Sequence, residues 1–495
     1  MYWSNVVGPK IVKVWSSEFT KPDEPMLMHA AKQIMNGEVG RVVEGIEPKF
    51  LVLSEEGVLA ASFLYTDYCT GGSPSSTPGS SYKEDPLHSN HRTQIHEETT
   101  KFGLAFLVPL QYISGFSAYF EIMTDRVPFL IEKLRALRRS MLWKDILEYF
   151  ASFHLIPFVD QIKSLESVSL PSEHIKISHT VLGCEAEHVL SVEFMARVIT
   201  SHLQTLGSTI VLGTNITIVN MLINTLALFL SPAERSRSCH ARKHHYYLPD
   251  LYLQGILSQG VDYDSNIEYY IFESPLPTTL VNITEGTVER TELLPGYPRL
   301  RAEIYRYILT QMENGNLPTL ESEYFNGLDG AYNVFRPVKE SAPMVRKLLE
   351  RLFRLPSTMR EAYIRQWRRW LIRKAMVLVK IVEYESSKCP RGPFSASTSP
   401  SKAKRKDSID ATSTLQATAG DNNGTPNGNV ATNYGTSGTA TTPTKLTRRR
   451  GVGSMNSGSG FHMLQERLML AHELDLSIVL AQAEKLRPGV VRMCM

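Results

Sequence analysis

The chain has 495 residues, 42% hydrophobic and 21% charged, with 53 lysines and arginines against 50 acids. That length exceeds what one hydrophobic core serves and predicts two or three globular domains. The near balance of charge excludes a dedicated nucleic-acid binder, which needs a clear cationic excess, and five cysteines without a C-x-x-C pair suit free thiols in a reducing compartment.

The first part reads as β-rich. Val6–Trp15 predicts a strand pair or one bent strand, punctuated by Gly8-Pro9. A helix is expected over Met26–Asn36, stopped at Asn36-Gly37. Phe50–Ser54 and Val58–Tyr65 flank Glu55-Glu56-Gly57, the grammar of a hairpin. Both runs are almost continuously apolar, which predicts a sheet covered on both faces. Phe102–Leu110 is a further strand, and Thr70–Thr100, rich in Gly, Ser, Pro and charge, is expected as a mobile insertion. A helix over Asp125–Tyr149 follows, and the polar stretch Ser164–Ser178 with Pro171 is the expected domain boundary.

In the second part Val189–Leu206 carries a helical pattern with Gly207 just past its end. Thr209–Leu212 is an apolar strand, and Thr214 or Asn215 caps a helix running to Leu230. That apolar run is too short for a membrane and is interrupted by Asn220 and Asn224 on one face, so a buried helix is expected and no transmembrane segment. Ser231-Pro232 starts a new helix, and Leu251–Leu257 and Glu268–Glu273 are expected strands. Ser341–Glu385 predicts two helices parted at Pro356. The first carries a stripe of Met344, Leu348, Leu349, Leu352 and Phe353. The second has a capping box at Thr358 and Glu361 and an apolar face of Tyr363, Trp367, Trp370, Leu371, Leu378 and Ile381. Ser387–Gly460 lacks the apolar content to offset ordering entropy and is expected to be a disordered insertion. A last helix over Phe461–Leu486, closed by Pro488-Gly489, is expected to dock on the pair before it.

Candidate chemistry is sparse. Gly207–Gly213 (GSTIVLG) sits at a strand–helix junction but lacks the Lys-Ser/Thr ending of a phosphate loop, so the strand reading is preferred. Cys239, His240, His244 and His245 have metal-ligand spacing. Arg235, Arg237, Arg242 and Lys243 among them oppose a dication, and an exposed basic loop is the preferred reading. No G-x-S-x-G, H-E-x-x-H or paired-carboxylate pattern occurs, and no catalytic, cofactor-binding or metal residue is assigned. Arg365, Arg368, Arg369, Arg373 and Lys374 would suit an acidic partner or an anionic membrane, against the plainer reading of a solvated face. Lys402–Lys406 with Ser408, and Arg448–Arg450, have nuclear-import or phosphorylation character but are read as solvated linker charge. Trp3 and Trp15 are read as core or sheet-face residues.

Three blocks stand out as a set. They are SHLQT at Ser201–Thr205, FLSPAER at Phe229–Arg235, and Tyr2-Trp3-x-Asn5-x-x-Gly8-Pro9 with Trp15. Lys49-Phe50-x-Val52-Leu53-Ser54-Glu55-x-Gly57-Val58, Leu253-Gln254-Gly255-Ile256-Leu257, Pro277-Thr278-Thr279 and Ala483-Glu484-Lys485-x-x-Pro488-Gly489 extend it. In order and spacing the chain resembles the chromosome 9 open reading frame 72 family of DENN-module proteins, as an ortholog from a distant animal. Against the family pattern the 70–100 loop and the 387–460 insertion are expected to be longer, and the first strand is expected almost at the start, without the family's leading extension.

The resemblance implies an α/β fold. It places a longin-type domain at 1–163, a central DENN α/β domain at 164–335, and a helical downstream part at 336–386 plus 461–495, interrupted by 387–460. It further implies regulation of Rab- or Arf-type small GTPases, by nucleotide exchange or by stimulated hydrolysis with an arginine finger. Arg92 and Arg126 are the candidates for that finger if this chain holds it. Implied partners are a DENN protein of the Smith-Magenis candidate-region type and a WD40-repeat protein, with no nucleic acid and no cofactor. Implied roles lie in autophagy, endosomal traffic and lysosome homeostasis, from the cytoplasm with recruitment to endosomes and lysosomes, peripheral contact with their membranes and a nuclear pool. The alternative is a non-enzymatic scaffold for autophagy and lysosomal factors.

Overall fold

The computed structural model describes the chain except residues 5–7, 17–22, 37–42, 69–98, 141–145, 167–169, 171–173, 184–189, 243–246, 259–266, 268–269, 317–333, 389–456 and 495. Two sheets, each buried on both faces, make it a mixed α/β protein.

The first sheet is antiparallel, ordered β2-β1-β5-β4-β3, from β1 (Tyr2–Ser4), β2 (Gly8–Lys10), β3 (Ile46–Leu53), β4 (Val58–Tyr68) and β5 (Thr99–Pro109). The expected hairpin forms with Leu53 opposite Val58 and Gly57 in the left-handed region the turn demands. Strand alternation then splits β4 between two cores. Leu59, Ala61, Phe63 and Tyr65 pack under α2 (Ile113–Arg139), while Ala60 and Leu64 meet Ala30, Ile34 and Met35 of α1 (Glu24–Met35). Three expectations need correction here. The opening hairpin ends at Lys10 and no strand continues to Trp15. α2 begins at Ile113, entered by a tight turn directly from β5, and ends at Arg139; α3 (Ile146–Phe150) is separate. A π-helical turn (Ala151–Leu155) links α3 to α4 (Ile156–Glu166), so helix continues past Ser164 into the stretch expected as a connection.

The second sheet is mixed, ordered β11-β10-β9-β6-β8-β7. Its strands are β6 (Thr209–Gly213), β7 (Cys239–Arg242), β8 (Leu253–Leu257), β9 (Thr279–Asn282), β10 (Thr287–Arg290) and β11 (Arg336–Pro337). β9, β6, β8 and β7 run parallel; β10 and β11 add an antiparallel edge. Parallel strands covered on both sides read as unbroken apolar runs, and every residue of β6 and β8 is buried. One face packs on α5 (Val192–Gln204) and α6 (Ile216–Ala227), the other on Tyr247, Ile271 and Phe335. Asn215 caps α6, accepting from Thr217 N–H at 2.9 Å. Ser231 and Glu234 close a capping box on α7 (Pro232–Ser236).

The described part of Glu268–Glu273 forms no strand; it includes a 3-10 turn, Ile271–Glu273. Side chains of α8 (Gly296–Glu313) take the backbone carbonyls a neighbouring strand would have used. Tyr297 donates to Ile271 and Ser274, and Arg301 donates to Phe272 and Glu273.

The C-terminal helices are α9 (Pro343–Phe353), α10 (Ser357–Lys388), α11 (Ser457–Arg467), α12 (Glu473–Leu486) and α13 (Val490–Met493). α12 shares a core with α5, α9 and α10, the expected docking. The predicted helix Phe461–Leu486 is two, because Met469 takes a left-handed backbone and ends α11. α10 starts at Ser357, so Thr358 lies inside its first turn, and Glu361 pairs with Arg365 instead of closing a box. Met344 N–H near the start of α9 bonds to Asp475 Oδ1 at 3.0 Å, a cap supplied by α12. Ser387, Lys388 and 457–460 are helical; the rest of the expected insertion, and all but Thr99 and Thr100 of the 70–100 loop, lie outside the described residues. No described helix is long and apolar enough to cross a membrane.

Candidate functional site

The family-like blocks come from distant parts of the sequence and meet around α5. Its Ser201, His202, Gln204 and Thr205 are all buried. Thr279 Oγ1 on β9 sits 2.7 Å from Ser201 Oγ and 2.9 Å from Thr205 Oγ1. Ser208 and Thr278 share a 2.9 Å bond beside them. Gln204 donates to Ser477 of α12 at 2.6 Å and accepts from Arg290 of β10. Buried polar groups left unpaired would cost 1–3 kcal/mol each, about the scale that makes such a ladder selective for one arrangement. From the other side Lys485 of α12 reaches Glu234 of α7 at 2.6 Å. Burial raises the Glu234 carboxyl, but Lys485 and the Ser231 bonds outweigh it and hold it below its ordinary range.

His202 lies at the centre of this clasp. Its Nδ1 is 2.9 Å from Thr209 Oγ1, and its Nε2 has no hydrogen-bond partner. Burial, then the nearby Lys485 charge, push its pKa down to about 3, so the imidazole is neutral. Next to it α5 ends in a Schellman turn, with Gly207 N–H bonded to the His202 carbonyl at 2.8 Å. A Cβ on Gly207 would stand 2.5 Å from Leu230 Cδ2 and 3.2 Å from Lys485 Nζ, at a φ of +88°. The clasp thus joins α5, β6, β9, α7 and α12. It is an interior joint, sealed from any substrate.

Arg126 is the second joint. It is buried on α2, donating to Asp250 at 2.8 Å and Gln161 at 3.2 Å, pairing with Glu273, and lying over the Phe158 ring. Burial opposes its charge, but Glu273 and Asp250 prevail and keep the guanidinium protonated. A residue held on four sides in the interior has no free reach, so Arg126 is removed from the arginine-finger candidates. Arg92 lies outside the described residues. Lys133, also on α2, is 3.9 Å from Glu273, and burial lowers its pKa.

Only Cys239 and His240 of the metal-like cluster are among the described residues. Cys239 and His240 belong to β7, not to an exposed loop, because β7 pairs in parallel with β8. Cys239 faces the core, and His240 Nε2 is 2.8 Å from Asn224 Oδ1. His244 and His245 are outside the described residues, as are Lys402–Lys406, Ser408 and Arg448–Arg450. Among the described residues no three His, Cys, Asp or Glu side chains are grouped to hold a metal. GSTIVLG contains the buried strand β6, as preferred, with Gly213 kept small by Val219 Cγ2, 2.8 Å from where a Cβ would stand. Trp15 packs against the first core with an unpartnered Nε1.

The remaining candidate is the outer face of α10. Ile364, Trp367, Leu371, Ala375 and Leu378 are buried, whereas Trp370, placed in the apolar face by pattern, faces solvent. Ala362, Arg365, Gln366, Arg369, Trp370 and Arg373 border a cavity of about 540 Å³. Arg368 turns aside toward Glu234 and Arg235; burial, then the Arg235 charge, lower its pKa. Sequence reasoning missed the exposed Met469, which carries no pattern signal; it named Thr278 and Thr279 only as part of a family-like block, and Thr279 opens an unanticipated β9–β10 hairpin.

These features define a mixed α/β protein whose distinctive residues are joints between elements and whose cationic chemistry lies on an outer helix face. Residues 89–294 match the model of the C9orf72-like protein family. It is 26% identical over 424 residues to the guanine nucleotide exchange factor C9orf72 of Homo sapiens, covering 78% of this chain and 81% of that protein. The Mus musculus homolog of that exchange factor is 26% identical over 427 residues, with the same coverage.

Proposed function

We propose that this chain is a subunit of a complex that regulates Rab- or Arf-type small GTPases. In this reading 1–163 is a longin-type domain, 164–335 a central DENN domain, and 336–386 with 461–495 a helical downstream part. The observation that carries the reading is the similarity, over most of both chains, to relatives named as guanine nucleotide exchange factors. Exchange on a small GTPase is therefore favoured over stimulated hydrolysis. The architecture supports work by surfaces: β3 is a sheet edge paired only with β4 among the described strands, with Val52 exposed on it. Such an edge offers unpaired backbone groups to a partner strand. We place a DENN protein of the Smith-Magenis candidate-region type there, with a WD40-repeat protein in the same assembly. The complex would act from the cytoplasm on endosomes and lysosomes, in autophagy, endosomal trafficking and lysosome homeostasis.

The test is nucleotide release and single-turnover GTP hydrolysis across a Rab and Arf panel, with the chain alone and with its co-purified partner. Faster nucleotide release from one GTPase is the expected result. Unchanged release and hydrolysis throughout would overturn regulation and leave a scaffold.

A further inference from the structure

Along α10 an outward stripe faces away from the buried core. Arg365, Arg369, Arg373 and Lys380 recur at helical spacing on one face, interleaved with Trp370, Met376, Val377 and Tyr384. Those four apolar or aromatic side chains are 38 to 59% exposed, although the helix buries a complete apolar face elsewhere. Arg369 and Arg373 have no acidic partner among the described residues, and the pairs Arg365–Glu361 and Lys380–Glu383 are surface pairs that neutralise little. At 1.5 Å per residue the stripe runs in a line of roughly 28 Å.

A second element adjoins it. Lys374 lies over the Trp370 ring and donates to the Leu468 carbonyl at 2.8 Å, which brings the turn after α11 beside the stripe. In that turn Leu470 N–H bonds to Gln465 and Met469 N–H to Glu466, the two bonds of a Schellman motif. Met469 occupies its left-handed position with φ +52° and is 87% exposed. Glycine is the unstrained residue there. Leu206 holds a similar φ of 58° after α5, but its side chain is buried. Met469 keeps the strain without burial.

We propose that the outward stripe of α10 and the Met469 turn form a peripheral docking surface for a bilayer of anionic phospholipids. The guanidiniums take lipid phosphates, bidentately where geometry allows. Trp370 and Tyr384 sit at headgroup level, and Met469, Met376 and Val377 reach the acyl boundary. The cavity beside Trp370 has room for a headgroup. A flat interface needs cations and apolar groups alternating along one line, as they do here. An acidic protein segment would satisfy the arginines and leave the apolar residues uncovered.

The test is flotation of the full chain with vesicles of phosphatidylcholine alone and of phosphatidylcholine with about 30% phosphatidylserine. Binding to the anionic vesicles only, fading at high salt, is expected. R369E/R373E should weaken it by about 30-fold or more, R369Q/R373Q by less. Met469→Gly should weaken it several-fold while its unfolding midpoint stays level or rises. Equal binding to both vesicles, no binding to either, or anionic binding untouched by R369E/R373E would overturn the proposal. Retention on immobilised polyglutamate without vesicle binding would likewise overturn it, assigning the stripe to an acidic protein.

Discussion

The clasp around α5 and the outward stripe of α10 obey opposite rules. In the clasp, Ser201, Gln204 and Thr205 each have a short hydrogen bond from another element, because an unpaired polar group there would be costly. Along the stripe, Arg369 and Arg373 meet no described acid, and Trp370 and Met376 lie open to solvent. The two left-handed non-glycine residues among those described repeat the contrast: Leu206 is enclosed and Met469 bare. The residues that make the sequence distinctive therefore hold its elements together. Chemistry aimed outward lies where no short motif marks it.

The contrast breaks first at Arg126. Its replacement by methionine strands Asp250 and Glu273 and should cost about 3–5 kcal/mol in denaturant unfolding. A loss under about 1 kcal/mol would class it with surface pairs. Acid probes the interior next. His202 and His154 are held near a pKa of about 3 by burial, against an ordinary 6.5. As pH falls below 6.5 the unfolded chain takes up protons that the folded chain refuses, so stability is full above 6.5 and declines below it. Each histidine should remove about 1.4 kcal/mol per pH unit in that window, and His202→Gln should flatten the slope. Gly207→Ala must absorb both a positive φ and the Leu230 methyl, a cost of about 1–3 kcal/mol. Smallest is the outer residue: Met469→Gly should raise stability by about 1 kcal/mol, since only the left-handed backbone is relieved.

Much of this framework was legible. Periodicity placed α1, the β3–β4 hairpin, β6 and the break at Pro356, because each buries a regular apolar pattern. Asn215 and the Ser231–Glu234 box were readable because caps act within one turn. The failures share a cause. The cap from Asp475 to Met344 spans 131 positions, and the carbonyls of Ile271–Ser274 are satisfied by α8 side chains. Such long-range bonds leave no local trace. Trp370 fits an apolar pattern and is exposed, since a helix with two apolar stripes does not declare which one the core takes. Arg126 looked like any helical arginine, and only the fold shows it enclosed.

The most direct measurement of the central claim is hydrogen–deuterium exchange on the chain, free and bound to its co-purified partner with a responsive small GTPase. New protection should fall on the outer edge, over Ile46–Leu53, while the clasp peptides around Ser201–Thr205 and the Arg126 helix stay unchanged. Protection confined to the clasp or the Arg126 joint, with the edge exchanging as before, would contradict a protein that works through its outer faces.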